Sequence, residues 1–126
     1  MLLSGLGEAR IYLAAGATDL RKSFDGLAQL VVERIGQDPQ SGSLFVFCNR
    51  GRNRLRILYF ESTGYWLYSK RLEQGTFNWP ALGADPSKWK VTSQELLLLL
   101  SGIDLKRLRP RKWHGRGKPS RVQRSA

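Results

Sequence analysis

The chain has 126 residues, of which 41% are hydrophobic and 10% aromatic, a size and richness that suit one compact domain and exclude a wholly disordered polymer. Its 21 Lys and Arg outnumber its 10 Asp and Glu, and the formal net charge of +11 favours a polyanionic partner, nucleic acid first. A single cysteine, Cys48, rules out an internal disulfide and suits a cytoplasmic protein, and with no apolar run near the roughly 18 residues of a membrane span and no signal-peptide pattern in MLLSGLGEAR, no membrane role is expected.

In chain order, RIYLAAG (Arg10–Gly16) reads as a short strand closed by a glycine. The following TDLRKSFDGLAQLVVERIG reads as a helix capped by Thr18 or Asp19. Leu20, Phe24, Leu27 and Val31 form one apolar stripe, and Gly36 provides the stop. Arg21, Lys22, Asp25, Gln29 and Glu33 lie on the opposite face. After the turn-rich QDPQSGS come three β-rich runs, Leu44–Cys48, Arg54–Phe60 and Tyr65–Leu72, joined by the tight-turn sequences NRGRN and ESTG. They predict an antiparallel meander, to which Gly75–Pro80 adds a short edge strand ended by Pro80. VTSQELLLLLSGIDL predicts a second helix with a Thr92-x-x-Glu95 capping box and a stop at Gly102. Its five consecutive leucines, Leu96–Leu100, are apolar on nearly every side and should be buried in the core or against another chain. The expected fold class is therefore α+β: a small antiparallel sheet of roughly three to five strands packed with two helices, spanning residues 1–104.

The charge is concentrated at the end of the chain. Residues 105–126 hold nine basic and no acidic side chains, leaving twelve basic and ten acidic before them, a net of +2. Prolines, glycines and dense like charge predict a disordered basic tail, in which Arg107, Arg109, Arg111, Lys112, Arg116 and Lys118 are candidate nucleic-acid contacts; a merely solubilising tail is the plainer alternative. A second concentration lies in NRGRNRLR, where Arg50, Arg52, Arg54 and Arg56 recur with the two-residue period of a strand. Gly51 and Asn53 place the first two in the hairpin loop and the last two on the outgoing strand. There Leu55, Ile57 and Tyr59 point one way, and Arg54, Arg56, Leu58 and Phe60 the other. Across the hairpin Lys70 and Arg71 should lie near Arg54. Planar guanidinium forks suit phosphate oxygens, although a solvated hairpin tip would show the same pattern. Trp66, Tyr68 and Trp79 either fill the core or, where exposed, stack on unpaired bases.

Catalytic signals are weak. No carboxylate pair has metal-ligand spacing, there is no phosphate-cradling glycine loop, and the lone histidine, His114, sits far along the chain from Cys48, so neither a catalytic residue nor a cofactor is expected. A metal-dependent nuclease using Asp19 and Asp25 is the remaining enzymatic alternative.

TDLRKSFDGL, then LFVFCNRGRNRLRILYFESTGYWLYSKRLEQGTFNWP, then the leucine helix ending SGID, together resemble the TnpB accessory family of bacterial insertion sequences of family sixty-six, over about Arg10 to Asp104. The resemblance implies a non-catalytic accessory role in DNA transposition. The implied partners are DNA, the insertion-sequence ends in particular, a larger transposase that carries the recombination chemistry, and a second small accessory protein. It supplies no catalytic residue set. Ser23 stands where relatives often carry glycine, and the tail is longer than usual. A rival expectation within the same setting is an adaptor that contacts the transposase through Leu97 and Leu98 without touching DNA.

Overall fold

The structure, a computed structural model, describes residues 9–83 and 89–102. Five strands form one sheet: β1 (Ile11–Leu13), β2 (Leu44–Cys48), β3 (Arg54–Glu61), β4 (Gly64–Arg71) and β5 (Lys90–Val91), in the spatial order β4-β3-β2-β1-β5. Helix α1 (Phe24–Leu30) lies between β1 and β2, and α2 (Ser93–Leu100) follows β5. The α+β class is as the sequence implies, and β2, β3 and β4 form the expected antiparallel meander. The departure lies at β1, which pairs with β2 in parallel, Ile11 opposite Leu44 and Leu13 opposite Val46. Parallel neighbours need a crossover, and the segment carrying α1 supplies it.

β2 explains the layering. All five of its residues are buried, because helices cover both faces of the sheet. Phe45, Phe47 and Leu58 pack with Leu27 and Val31 of the α1 layer. On the other face Leu44, Val46, Cys48, Leu55 and Ile57 pack with Leu96 and Leu99 of α2. The alternation read from β3 is therefore the alternation between two cores.

Three local expectations are corrected. The first helix begins at Phe24, not beside Thr18 or Asp19; Ser23 is its N-cap residue and makes no side-chain cap bond. The presumed caps are engaged elsewhere. The Thr18 N–H donates to the Cys48 carbonyl at 2.8 Å, its hydroxyl receives the Arg34 guanidinium at 3.1 Å, and the Asp19 carboxylate is taken by Arg21. Phe24, at the helix start, is 43% exposed and stacks on Tyr65 instead of joining the buried stripe. Beyond Leu30 the helix widens into a π turn, Val31–Ile35, in which the Val31 carbonyl accepts from the N–H groups of both Gly36 and Gln37. Gly36 ends it with φ 73°, as a left-handed stop requires.

Gly75–Pro80 is irregular backbone, not an edge strand. Phe77 and Trp79 are buried from it: the Phe77 N–H donates to the Arg52 carbonyl and the Trp79 indole to the Ala14 carbonyl. The segment's backbone bonds go to separate places, the Phe77 N–H to Arg52 and the Pro80 carbonyl to the Gly16 N–H, so it forms no ladder, and the edge beside β1 goes to β5. The leucine run divides. Leu96 and Leu99 are buried, Leu98 and Leu100 half-buried, and Leu97 is 47% exposed, so α2 has a wet side after all. Its capping box is present, with the Glu95 N–H donating to Thr92 Oγ1 at 3.1 Å and the Thr92 N–H to Glu95 Oε1 at 2.8 Å.

Candidate nucleic-acid interface

The β2–β3 connection is built on Asn49. Its Oδ1 accepts the N–H groups of Asn53 and Arg54 at 3.1 and 3.0 Å, its Nδ2 donates to Asn53 Oδ1 at 2.9 Å, and its carbonyl accepts the Arg52 N–H. An asparagine side chain that satisfies three groups of a five-residue loop fixes the loop's shape without using the arginines. Arg50 and Arg52 are left projecting into solvent. Arg52 adopts φ 57°, a left-handed conformation that usually selects glycine or asparagine.

The sheet register does the rest. Arg54 pairs across the hairpin with Arg71, Leu55 with Lys70 and Arg56 with Ser69. Arg54, Arg56 and Arg71 thus share the α1 side of the sheet, beyond the point where α1 covers it, while Lys70 emerges on the opposite side of β4, the outermost strand. The connection from β1 to α1 closes the space above them. Thr18 is tied to β2 by its bond to Cys48, and Arg34 donates to both Thr18 and the Ala15 carbonyl. Gly16, at φ 78°, lets the chain turn there: a Cβ on it would come within 3.1 Å of Leu82 Cβ.

The result is an open groove of about 780 Å³ between the Thr18–Arg21 segment and the basic ends of β3 and β4. Of the residues singled out in the sequence, Arg50, Arg54, Arg56, Lys70 and Arg71 line it, and Arg52 stands outside at the hairpin tip. With Arg21 the lining holds six cationic side chains against two carboxylates, Asp19 and Glu73, for a local net charge of +4.

Both carboxylates are engaged. Arg21 Nε and Nη2 donate to the two Asp19 oxygens at 3.0 and 2.9 Å, and the Arg21 N–H adds a third bond to Oδ1. The Arg21 guanidinium bond, seconded by that N–H, holds the Asp19 carboxyl well below the usual carboxylate range, and Asp19 raises Arg21 in return. Asp19 is thus ionised throughout the range where proteins work. Arg71 donates through Nε and Nη2 to Glu73 Oε2 at 3.1 and 2.9 Å. These are the two ion pairs among the described residues, and both are solvent-exposed, the kind that a competing phosphate can replace at little cost. Arg50, Arg54, Arg56 and Lys70 form no ion pair among the described residues.

Sequence reasoning missed the second wall. Thr18, Asp19 and Arg21, a helix cap and a solvated helix face by sequence pattern, form a separate turn instead, and the Asp-x-Arg spacing is its local sign. The tail candidates Arg107, Arg109, Arg111, Lys112, Arg116 and Lys118 lie outside the described residues. Asp19 and Asp25, the pair weighed for metal chemistry, belong to no group of three or more His, Cys, Asp and Glu side chains able to hold a metal among the described residues. Burial pushes the Cys48 thiol up to about 11, so it is protonated at neutral pH and no nucleophile. Among the described residues no helix is long and apolar enough to cross a membrane.

Residues 9–110 match the family described as IS66 Orf2 like protein. The chain belongs to that family. It is an accessory protein of insertion-sequence transposition, associated with the IS66 transposition machinery, and the match covers both helices, the whole sheet and every residue lining the groove. Two curated relatives from Sinorhizobium fredii (strain NBRC 101917 / NGR234) accompany it. One, named Uncharacterized protein y4hO, is 38% identical over 104 residues, 82% of this chain and 88% of the relative. The other, Uncharacterized protein y4jC, is 33% identical over 100 residues, 79% of this chain and 84% of the relative. No solved structure matches the chain.

Proposed function

We propose that this IS66 Orf2-like protein binds the DNA of its insertion sequence through phosphate contacts in the β3–β4 groove, as a non-catalytic factor that helps assemble the transposase on the element's ends. The observation that carries the reading is the convergence of Arg50, Arg54, Arg56 and Lys70 on one groove with no carboxylate paired to any of them among the described residues. Unpaired cationic side chains held around one groove by a hairpin are preorganised for a phosphate backbone. Phosphate contacts position a protein without reading bases, so the expected binding has weak sequence preference. The full chain, titrated with a duplex from a terminal inverted repeat and with a random duplex, tests this. Affinity falls linearly on logarithmic axes as salt rises, by similar slopes for both duplexes, and a flat salt response overturns the reading.

Arg52 supports the same reading from the side of stability. Its left-handed backbone is strained for any residue with a Cβ, by roughly 1 kcal/mol, yet the position holds an arginine. Arg52→Gly is therefore expected to raise stability by about 0.5–1 kcal/mol in urea unfolding while weakening DNA binding. Unchanged affinity in that variant removes Arg52 from the interface and leaves the groove as the whole of it.

The exposure of Leu97 on α2 supports a second reading, in which that helix docks on the transposase. Co-purification of the two proteins after nuclease treatment, lost on Leu97→Asp in a variant that still folds, is the outcome it requires.

A further inference from the structure

Trp66 is the aromatic that the fold leaves out. Trp79 is buried with its indole N–H bonded to a backbone carbonyl, whereas Trp66, on the outermost strand β4, is 52% exposed. The ring is nonetheless held. Its Nε1 donates to Glu61 Oε1 at 2.9 Å, and its face stacks on Tyr68, with centroids 6.0 Å apart and planes inclined by 23°. Tyr68 in turn packs against the α2-side core. A fixed, half-bare indole loses little freedom when something settles on it.

Its neighbours on the strand define what that is. Trp66, Tyr68 and Lys70 share one side of β4, and Lys70 is also a lining residue of the basic groove. The next position beyond Trp66 on that side is Gly64, where an added Cβ would meet no atom within 4 Å. One flank of the indole is thus taken by Tyr68, and on the other no side chain projects from Gly64, the cross-strand neighbour there being Glu61. From Trp66 to Lys70 the strand rises by about 13 Å, so a polymer that follows β4 runs from an aromatic platform to a cation at the margin of the groove within a few of its own units. The charge that faces Trp66 directly is Glu61, which repels a phosphate and tolerates a base. Phosphates are thereby directed to the Lys70 end and bases to the Trp66 end.

A duplex uses only half of this arrangement, because its bases are already stacked and its outer surface is phosphate. A single strand uses both halves. We infer that the β4 edge binds single-stranded DNA, with an unpaired base stacked on Trp66, an adjoining phosphate held by Lys70, and the strand passing over the sheet edge there into the groove on the other side. The inference rests on the groove's binding DNA and adds which form of DNA it prefers.

Fluorescence anisotropy with the full chain tests it. The probes are an end-labelled oligothymidylate of about a dozen residues, within the usual span of single-strand sites, and a blunt duplex of the same length. The wild-type protein is expected to bind the single strand more tightly, Trp66→Ala to weaken single-strand binding about ten-fold while changing duplex binding by less than about two-fold, and Trp66→Phe to retain most of the affinity. Equal affinity for the two probes, or a Trp66→Ala effect of the same size on both, overturns the single-strand assignment and leaves duplex binding by the groove intact. Binding of neither probe overturns the groove reading itself. Quenching of tryptophan emission by oligothymidylate that is lost in Trp66→Phe supplies a readout independent of the alanine variant's stability.

Discussion

Replacing Arg54 and Arg56 together by glutamine is expected to lower DNA affinity about a hundred-fold at low salt and to reduce the salt slope by roughly two. The two effects have one cause. Each guanidinium that meets a phosphate displaces condensed counterions, so removing two contacts takes away both the affinity and its ionic-strength dependence. The substitution keeps the side chains polar and extended at positions where Arg54 is exposed and Arg56 half-buried opposite Phe47, so the sheet should persist; a denaturant midpoint near that of the parent checks this. Arg10→Gln is the control, removing one charge away from the groove. Arg10 immediately precedes β1, at the end of the sheet remote from the groove, since Leu44 pairs with Ile11 there and Cys48 with Leu55 at the groove end. It should change affinity by less than about two-fold. A loss in Arg10→Gln half as large, on a logarithmic scale, as that of the double variant would mean that binding reads total charge, and the groove would have no special part in it.

Phe45→Ala is expected to destabilise the domain by about 3–5 kcal/mol, a large share of the roughly 5–15 kcal/mol that folded domains possess. Phe45 is fully buried on the central strand. It stacks on Tyr12 with centroids 5.7 Å apart, pairs with β1 on one side and β3 on the other, and faces Leu27 and Val31. No neighbour can collapse into the space, because β2 is pinned between two ladders and covered on both faces. Urea unfolding is the measurement, with an unchanged slope showing that the midpoint shift reports stability. Phe24→Ala removes the same atoms from a half-exposed site and should lose less than half as much; a similar loss at both positions would contradict the layering described above.

What was legible in the chain was what depends on neighbours in sequence. The alternation in RLRILYF gave the two faces of β3, ESTG gave the hairpin that sets Arg71 opposite Arg54, and the glycine stops and the Thr92–Glu95 box stand where the residue types put them. Hidden features depend on partners far along the chain. β1 has three paired residues, too few for periodicity to declare whether they run with β2 or against it. Thr18 carries every mark of a helix cap, but the Cys48 carbonyl and Arg34 claim its polar groups first, and the helix starts later. TFNWP shows the aromatics of a strand and buries two of them from irregular backbone, because its contacts are with Arg52 and Ala14. The groove was half visible for the same reason. Its floor is a hairpin and its other wall is a long-range connection.

The asymmetry of the sheet's two margins has a practical consequence. β5 closes one side with two residues, while β4 offers eight along the other, with no further strand paired to its outer margin among the described residues. Such a margin invites a second molecule to add its own strand and continue into a fibre, and lysine or arginine on it is the ordinary safeguard. Lys70 and Arg71 stand where that safeguard is needed. Neutralising them should promote self-association in concentrated solution, so a binding defect measured in such a variant must be separated from clumping before it is credited to the groove.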